Sequence, residues 1–393
     1  MKFFSRLAVG VVGLTLIFST ASAAENPADK KVEKRVAINV ASRIMAFYED
    51  GVKVAEYPLG LGRTTTPTPV GYYKILTKEI NPPWIDPQDP EYIVSSGPDN
   101  PLGYRWMQIY GNYGIHGTNR PDSIGGYVSN GCVRMREADV EKFFDAVEVG
   151  TPVDITYNRV VVEKIEDGSV VYSIFPDGYG WQQIDAAYVN SWLEPYGVAP
   201  FESDAQIDEK IQLSDGNPTV IGKPYNIEIN GKRVSPVEAN GKNFLAKAVQ
   251  RDNINYLPVV PMAMALKTRL EWHTGEGTLK TAYGTVTGFE SKNQIYCNAD
   301  DAIILFNLDG GLQNISDQPA DGKVFKFYVA DKKLEKKVKK EQSAKLKPAD
   351  AETKPADDKK SDKKKSKDKK SKDKKNKKSD EMKVQANEPA GNS

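Results

Sequence analysis

Between Arg35 and Tyr157 the apolar runs are short, alternate with polar residues, and end in proline or glycine, which leaves room for short strands and little else. Arg35-Val36-Ala37-Ile38-Asn39-Val40 alternates as a half-buried strand does. Ile44 to Tyr48 and Val52 to Tyr57 flank Glu49-Asp50-Gly51, a composition suited to a tight hairpin turn. Further strands are expected at Tyr72 to Leu76, Tyr92 to Ser95 and Trp106 to Tyr110, separated by breaker-dense segments at 64–71, 81–90 and 97–103. One helix is expected from Glu137 to Val147, where Val140, Phe143, Phe144 and Val147 recur at helical spacing behind an acidic first turn of Glu137 and Asp139. Pro152 to Tyr157 then closes the unit. The expectation for residues 34–158 is a mainly β, sandwich-like domain with one helix.

A hairpin around Glu166-Asp167-Gly168 and a mixed segment containing Trp181 and Trp192 follow, and residues 159–218 read as a β-hairpin extension and linker. Residues 219–330 read as a smaller α+β module: a strand at Tyr225 to Ile229, a turn at Asn230-Gly231, a short helix from Val259 to Leu266, and more strands to Val329. From 331 to 393 the composition changes. This part holds 23 lysines, no arginine and 13 acidic residues, so the rest of the chain carries 31 basic and 40 acidic ones. A net charge of +1 thus conceals two oppositely charged parts. The tail has too little apolar surface to repay the entropy of ordering and is expected to be disordered. It suits anionic cell-wall polymers or phospholipid headgroups, and a solvated spacer equally well.

Residues 1–23 have the order of a secretory leader: Lys2 and Arg6, an apolar stretch from Leu7 to Phe18, then Ala21-Ser22-Ala23. The apolar stretch is too short to span a bilayer. The expected location is therefore outside the cytoplasm, in a periplasm or at the cell wall, which makes a nucleic-acid partner implausible. Export also opens the possibility of a disulfide between Cys132 and Cys297. Cys297, in Gln294-Ile295-Tyr296-Cys297, reads better as a small buried hydrophobe.

Cys132 has a more specific context. It stands in Ser129-Asn130-Gly131-Cys132-Val133-Arg134, 16 positions after His116 of Ile115-His116-Gly117-Thr118, and the chain has only two histidines. A free thiol is mostly protonated at neutral pH, so acyl transfer from it needs a neighbouring base, and His116 is placed to serve. Gly131 permits a tight turn that aims successive N–H groups at one point, as an oxyanion hole requires. One histidine and one cysteine supply too few ligands for zinc, so no metal or cofactor is expected. Ser129 as an alternative nucleophile is the weaker reading, a thiol being the better one.

This stretch resembles the L,D-transpeptidase catalytic domain (YkuD family), whose signature is a His-Gly pair followed by Ser-x-Gly-Cys-x-Arg or Asn. Thr68-Pro69-Val70-Gly71-Tyr72, Asn81-Pro82-Pro83-Trp84 and Asn100-Pro101-Leu102-Gly103 are similar to recurrent segments of that family, in its order. The resemblance covers about Arg35 to Tyr157. It implies a cysteine acyltransferase acting on peptidoglycan stem peptides: Cys132 attacks the carbonyl of the third stem residue and releases D-Ala. It further implies His116 as base, the Gly117 carbonyl orienting the imidazole, and backbone N–H groups of Gly131 and Cys132 holding the oxyanion. Ser129, Asn130 and Arg134 complete the substrate side, with Asn130 standing where many members carry histidine. Hydrolysis of the same acyl-enzyme, giving an L,D-carboxypeptidase, and a non-catalytic wall-binding protein remain as alternatives. Residues 219–330 are similar to the N-terminal-like module of copper amine oxidases, through Ile229-Asn230-Gly231-Lys232, Asn255-Tyr256-Leu257-Pro258 and Leu270-Glu271-Trp272, a likeness that implies no copper.

Overall fold

The computed structural model describes residues 32–315, 322–345 and 381–384. The chain divides into two compact units. The first comprises the residues up to Ile38, Arg43–Gly62 and Thr68–Thr156; the second comprises Asn39–Ser42, Arg63–Pro67 and the chain from Tyr157 onward. Strand outweighs helix two to one, 41% against 20%, so the class is mainly β. The leader-like residues 1–23 lie outside the described residues. No helix among the described residues is long and apolar enough to cross a membrane.

In the first unit the strands are β1 (Lys34–Asn39), β2 (Ile44–Glu49), β3 (Val52–Pro58), β4 (Leu61–Gly62), β5 (Gly71–Lys74), β6 (Thr77–Ile80), β7 (Trp84–Ile85) and β8 (Ile93–Val94). They continue with β9 (Arg105–Tyr110), β10 (Tyr113–His116), β11 (Tyr127–Ser129), β12 (Val133–Arg134), helix α1 (Glu137–Ala146) and β13 (Pro152–Thr156). One sheet runs β3-β2-β1-β13-β5 and a second β12-β10-β9-β6, with β11 paired to β4 and β7 to β8. Alternation buries Val36 and Ile38 of β1, Met45 and Phe47 of β2, and Val153 and Ile155 of β13 in the first sheet, and Met107, Ile109, Ile115 and Val133 in the second.

Helix α1 touches both sheets. Val140 and Phe143 are fully buried, and the Phe143 ring packs edge-on against Phe47 at 5.8 Å and Tyr57 at 5.9 Å. On the other side Lys78 of β6 lies over the Phe144 ring at 4.2 Å. The Lys78 ammonium donates to the carbonyls of Phe144 and Val147, and Lys34 donates to that of Ala146. These carbonyls are the ones a helix leaves without intrahelical partners, and two cations there also oppose the negative end of its dipole.

In the second unit the strands Val160–Lys164, Val170–Ile174, Thr219–Ile229, Ala248–Arg251, Ile254–Pro258 and Gln294–Asn298 belong to one ten-stranded sheet. Both of its faces are covered. Along Gln294–Asn298, Ile295 and Cys297 join one apolar cluster with Leu257, Val259, Met262, Ala302 and Phe325, whereas Tyr296 joins another with Tyr172, Val189, Leu193 and Ile207. Helices Val259–Leu266 and Ala299–Phe306 therefore cover one face, and Ala186–Leu193 and Asp204–Leu213 the other.

Two expectations need correcting. Residues 159–218 are no linker: their hairpin pairs with Thr219–Ile229, and their two helices supply a full apolar layer. Those helices are short but well capped, Asp185 accepting from Tyr188 N–H, and Ser203 forming a capping box with Gln206. The expectation of disorder from 331 fails for Lys332–Lys345, which is helical, and for the strand Glu381–Val384. Asp331 caps that helix through the Lys333 N–H, and Val338 buries one side of it. The remainder of the tail lies outside the described residues.

Phe143→Ala is expected to cost about 3–5 kcal/mol, as removal of a fully buried aromatic ring does, and to lower the unfolding midpoint in urea. A midpoint unchanged from wild type would show that α1 does not tie the two sheets together.

Candidate active site

The site is built on a short parallel ladder. Strands β10 and β12 pair with Ile115 opposite Val133 and His116 opposite Arg134. Side chains alternate across a strand, and directly paired residues share a face. Ile115 and Val133 go into the core, fully buried. Gly114, His116, Arg134 and, one step before β12, Cys132 therefore share the other face. The ladder is held from beyond its edge by Gly60, which exchanges backbone hydrogen bonds with Arg134 at 2.9 and 2.7 Å.

Trp106 completes this face from the antiparallel neighbour β9, where it stands opposite His116. Its ring lies 5.6 Å from the imidazole at a 31° tilt. It also fills the space above Gly114, where a Cβ would sit only 2.6 Å from the indole. Glycine in the middle of a strand signals close approach by another group, and here that group is the ring that holds His116 in place.

His116 is buried, and its Nδ1 lies 2.7 Å from the carbonyl oxygen of Gly117. A carbonyl only accepts, so Nδ1 carries the proton and Nε2 keeps its lone pair. Burial pushes the imidazole down to about 4, and the Arg134 guanidinium adds to this; the carbonyls of Gly117 and Leu102 act in the opposite direction. The ring is therefore neutral at pH 7 and competent to take a proton.

Cys132 is a free, partly exposed thiol, whereas Cys297 is free and buried in the core of the second unit. The Cys132 Sγ lies 3.7 Å from the Asn112 carbonyl and receives the Gly114 N–H. Burial raises its pKa above the usual thiol value, while the Gly114 N–H and the Arg134 charge lower it. The resting pair is thus thiol and neutral imidazole. Arg134 favours thiolate over thiol and imidazole over imidazolium, so it eases loss of the thiol proton while holding the imidazole neutral at rest.

The turn before Cys132 is pinned by Ser129. Its buried hydroxyl donates to the Cys132 carbonyl at 2.6 Å and accepts from the Gly131 N–H at 3.1 Å. Gly131 takes φ +116°, which disfavours any side chain. Because the Gly131 N–H is engaged by Ser129, it is a less available oxyanion donor than the sequence suggested. Asn130 is exposed at the outer edge of the same turn. On the β9–β10 side the exposed Tyr110 lies against the half-buried Tyr113 at 6.3 Å and the half-buried Tyr73 at 5.6 Å.

Sequence reasoning placed His116, Gly117, Ser129, Asn130, Gly131, Cys132 and Arg134 at one site, and all of them lie on or beside the β10–β12 ladder. It missed Trp106 and Gly114. The available signal was the glycine two residues before His116 in a strand, which calls for a bulky group opposite. Glu137 was read only as part of a helix start, although its carboxylate accepts the Tyr104 N–H at 2.8 Å. Among the described residues no cluster of three or more histidine, cysteine or acidic side chains could hold a metal ion.

Residues 33–155 match the family model described as YkuD, L,D-transpeptidase catalytic domain. The chain is similar to three proteins whose names class them with the L,D-transpeptidases. YqjB of Bacillus subtilis is 36% identical over 136 residues, 33% of this chain and 75% of that protein. ErfK/SrfK of Salmonella typhimurium is 32% identical over 189 residues, 45% of this chain and 56% of its own length. ErfK/SrfK of Escherichia coli is 30% identical over 222 residues, 53% of this chain and 63% of its own length. The chain belongs to the L,D-transpeptidase (YkuD) family. It spans little more than half the length of the Salmonella relative.

Arg134→Gln is expected to shift the pH profile of Cys132 alkylation by iodoacetamide upward by about one unit or more, since a cation that favours the thiolate is lost. The wild-type profile itself should rise only in the alkaline range. Identical profiles for the two proteins would remove Arg134 from the electrostatics of the thiol.

Proposed function

We propose that the chain is an L,D-transpeptidase that acts on peptidoglycan through a Cys132 thioester. The observation that carries this reading is the Cys132 thiol, set against the Asn112 carbonyl just before β10, on the same face as a neutral His116 whose Nδ1 is tied to Gly117. His116 Nε2 takes the thiol proton as sulfur attacks the carbonyl of the third residue of a tetrapeptide stem. The tetrahedral oxyanion is held by the Cys132 N–H. Collapse breaks the amide bond, and the proton on Nε2 passes to the departing D-Ala amine, leaving a thioester. An acceptor amine then attacks that thioester, giving its proton to Nε2, and the thiol is regenerated.

Ser129 fixes the turn, Arg134 supplies the charge that favours the thiolate, and Asn130 at the outer edge meets the substrate. The reaction requires export to a periplasm or wall, for which the leader-like residues 1–23 provide the sequence basis. Residues 219–330 are read as a wall-associated module, on their resemblance to the copper amine oxidase N-terminal-like module, with no chemistry assigned to them. The lysine-rich tail is read as a contact for anionic wall polymers.

Incubation with tetrapeptide-containing muropeptides should release D-Ala and yield cross-linked dimers, and Cys132→Ala and His116→Ala should each abolish both products. D-Ala release without dimers would establish a carboxypeptidase instead. Turnover that survives Cys132→Ala would end the thioester reading.

A further inference from the structure

We infer that Glu137 is a positioning residue for His116, acting through the peptide that joins Gly117 to Thr118; the inference rests on the catalytic reading above. Glu137 opens α1, and its carboxylate accepts the backbone N–H groups of both Tyr104 and Thr118, the former at 2.8 Å from Oε1. The Thr118 N–H and the Gly117 carbonyl are opposite ends of one rigid, planar peptide. In a trans peptide they point in opposite directions. Holding the N–H on the carboxylate therefore aims the carbonyl oxygen away from it, toward His116 Nδ1 at 2.7 Å. Carboxylate, peptide and imidazole form a chain in which each donor is fixed by the next acceptor.

The surroundings are shaped around this carboxylate. A Cβ on Gly117 would lie 2.2 Å from Glu137 Oε2, and one on Gly103 would lie 2.1 Å from the same atom. Gly103 itself has φ +66°. The carboxylate thus occupies a slot that exists only because two separate loops both present glycine. A glutamate that served only the dipole of α1 would need neither the slot nor the bond to Thr118. It would also stay solvated, whereas burial raises the pKa of Glu137, with Tyr104, Thr118 and Arg105 compensating and Glu141 adding to the rise.

The consequence is a role like that of the aspartate in a serine-protease triad, displaced by one peptide unit. The carboxylate keeps the imidazole in the Nδ1–H tautomer with Nε2 free, and polarises the intervening peptide as positive charge develops on the ring. Glutamine at this position keeps the size but replaces one acceptor oxygen with an N–H donor. Its single oxygen would have to accept from both Tyr104 and Thr118, and its NH2 would place donors against N–H groups that also donate.

The test uses the full chain labelled with 15N-histidine, whose two histidines give a simple spectrum, and needs no substrate for its first arm. In wild type the His116 nitrogens should report a single Nδ1–H tautomer. In Glu137→Gln they should report a mixture of the two tautomers, and kcat for D-Ala release should fall about 10²-fold with KM little changed, the size of effect expected from a slightly misplaced base. Glu137→Asp keeps the charge at the start of α1 but withdraws it by one methylene, and should show the same tautomer mixture if the glutamine variant does not fold. Wild-type tautomer signals in folded Glu137→Gln or Glu137→Asp would overturn the inference, whatever happens to activity. If wild-type protein turns over no muropeptide, the catalytic reading fails separately, and the tautomer signals still decide the role of Glu137 toward His116.

Discussion

The pairing of β10 with β12, with His116 opposite Arg134, is the constraint on which the rest of the first unit's chemistry depends. It is a ladder of only two paired positions, yet it sets the face on which His116, Cys132 and Arg134 stand. A shift of one residue would send His116 and Cys132 into the core and bring Ile115 and Val133 to the surface. The register is protected from three sides. Ile115 and Val133 are fully buried on the far face, Gly60 bonds the outer edge of β12, and the Met135 N–H donates to the His116 carbonyl at 2.8 Å where the strands end.

The chemistry on that face is one of neutral partners. A buried imidazole pushed down to about 4 and a thiol pushed above its usual value do not form a resting ion pair. In the proposed mechanism proton transfer accompanies attack instead of preceding it, and the site's standing charge is that of Arg134. This places a premium on geometry. Trp106 tilted over the ring, the Gly117 carbonyl on Nδ1 and the Ser129 hydroxyl across the Cys132 turn each remove a freedom that would otherwise be lost at the moment of reaction.

The grouping of His116 with Cys132 was legible in the sequence because its demands are local: a glycine that turns the chain immediately before a cysteine, and a histidine at the end of an alternating run. The β-hairpins were legible for the same reason, Glu49-Asp50-Gly51 turning with positive φ at Asp50 and Gly51. Trp106, Gly114 and Glu137 were not, because their meaning arises only when β9 is laid beside β10 and α1 is brought against the loops at Gly103 and Gly117. In the second unit, the layer formed by Ala186–Leu193 and Asp204–Leu213 escaped notice because each helix is short and its apolar residues make sense only against the sheet. The helix at Lys332–Lys345 was obscured by its lysines; one buried valine and a capping aspartate weigh little in composition.

The central claim is that the acyl group passes through the sulfur of Cys132. Its most direct test is peptide mapping by mass spectrometry of protein acid-quenched during turnover of a tetrapeptide donor. The account predicts a stem tripeptide added through a thioester to the fragment containing Cys132, with D-Ala already lost. An adduct on any other residue, or D-Ala release with Cys132 never modified at any quench time, would contradict it.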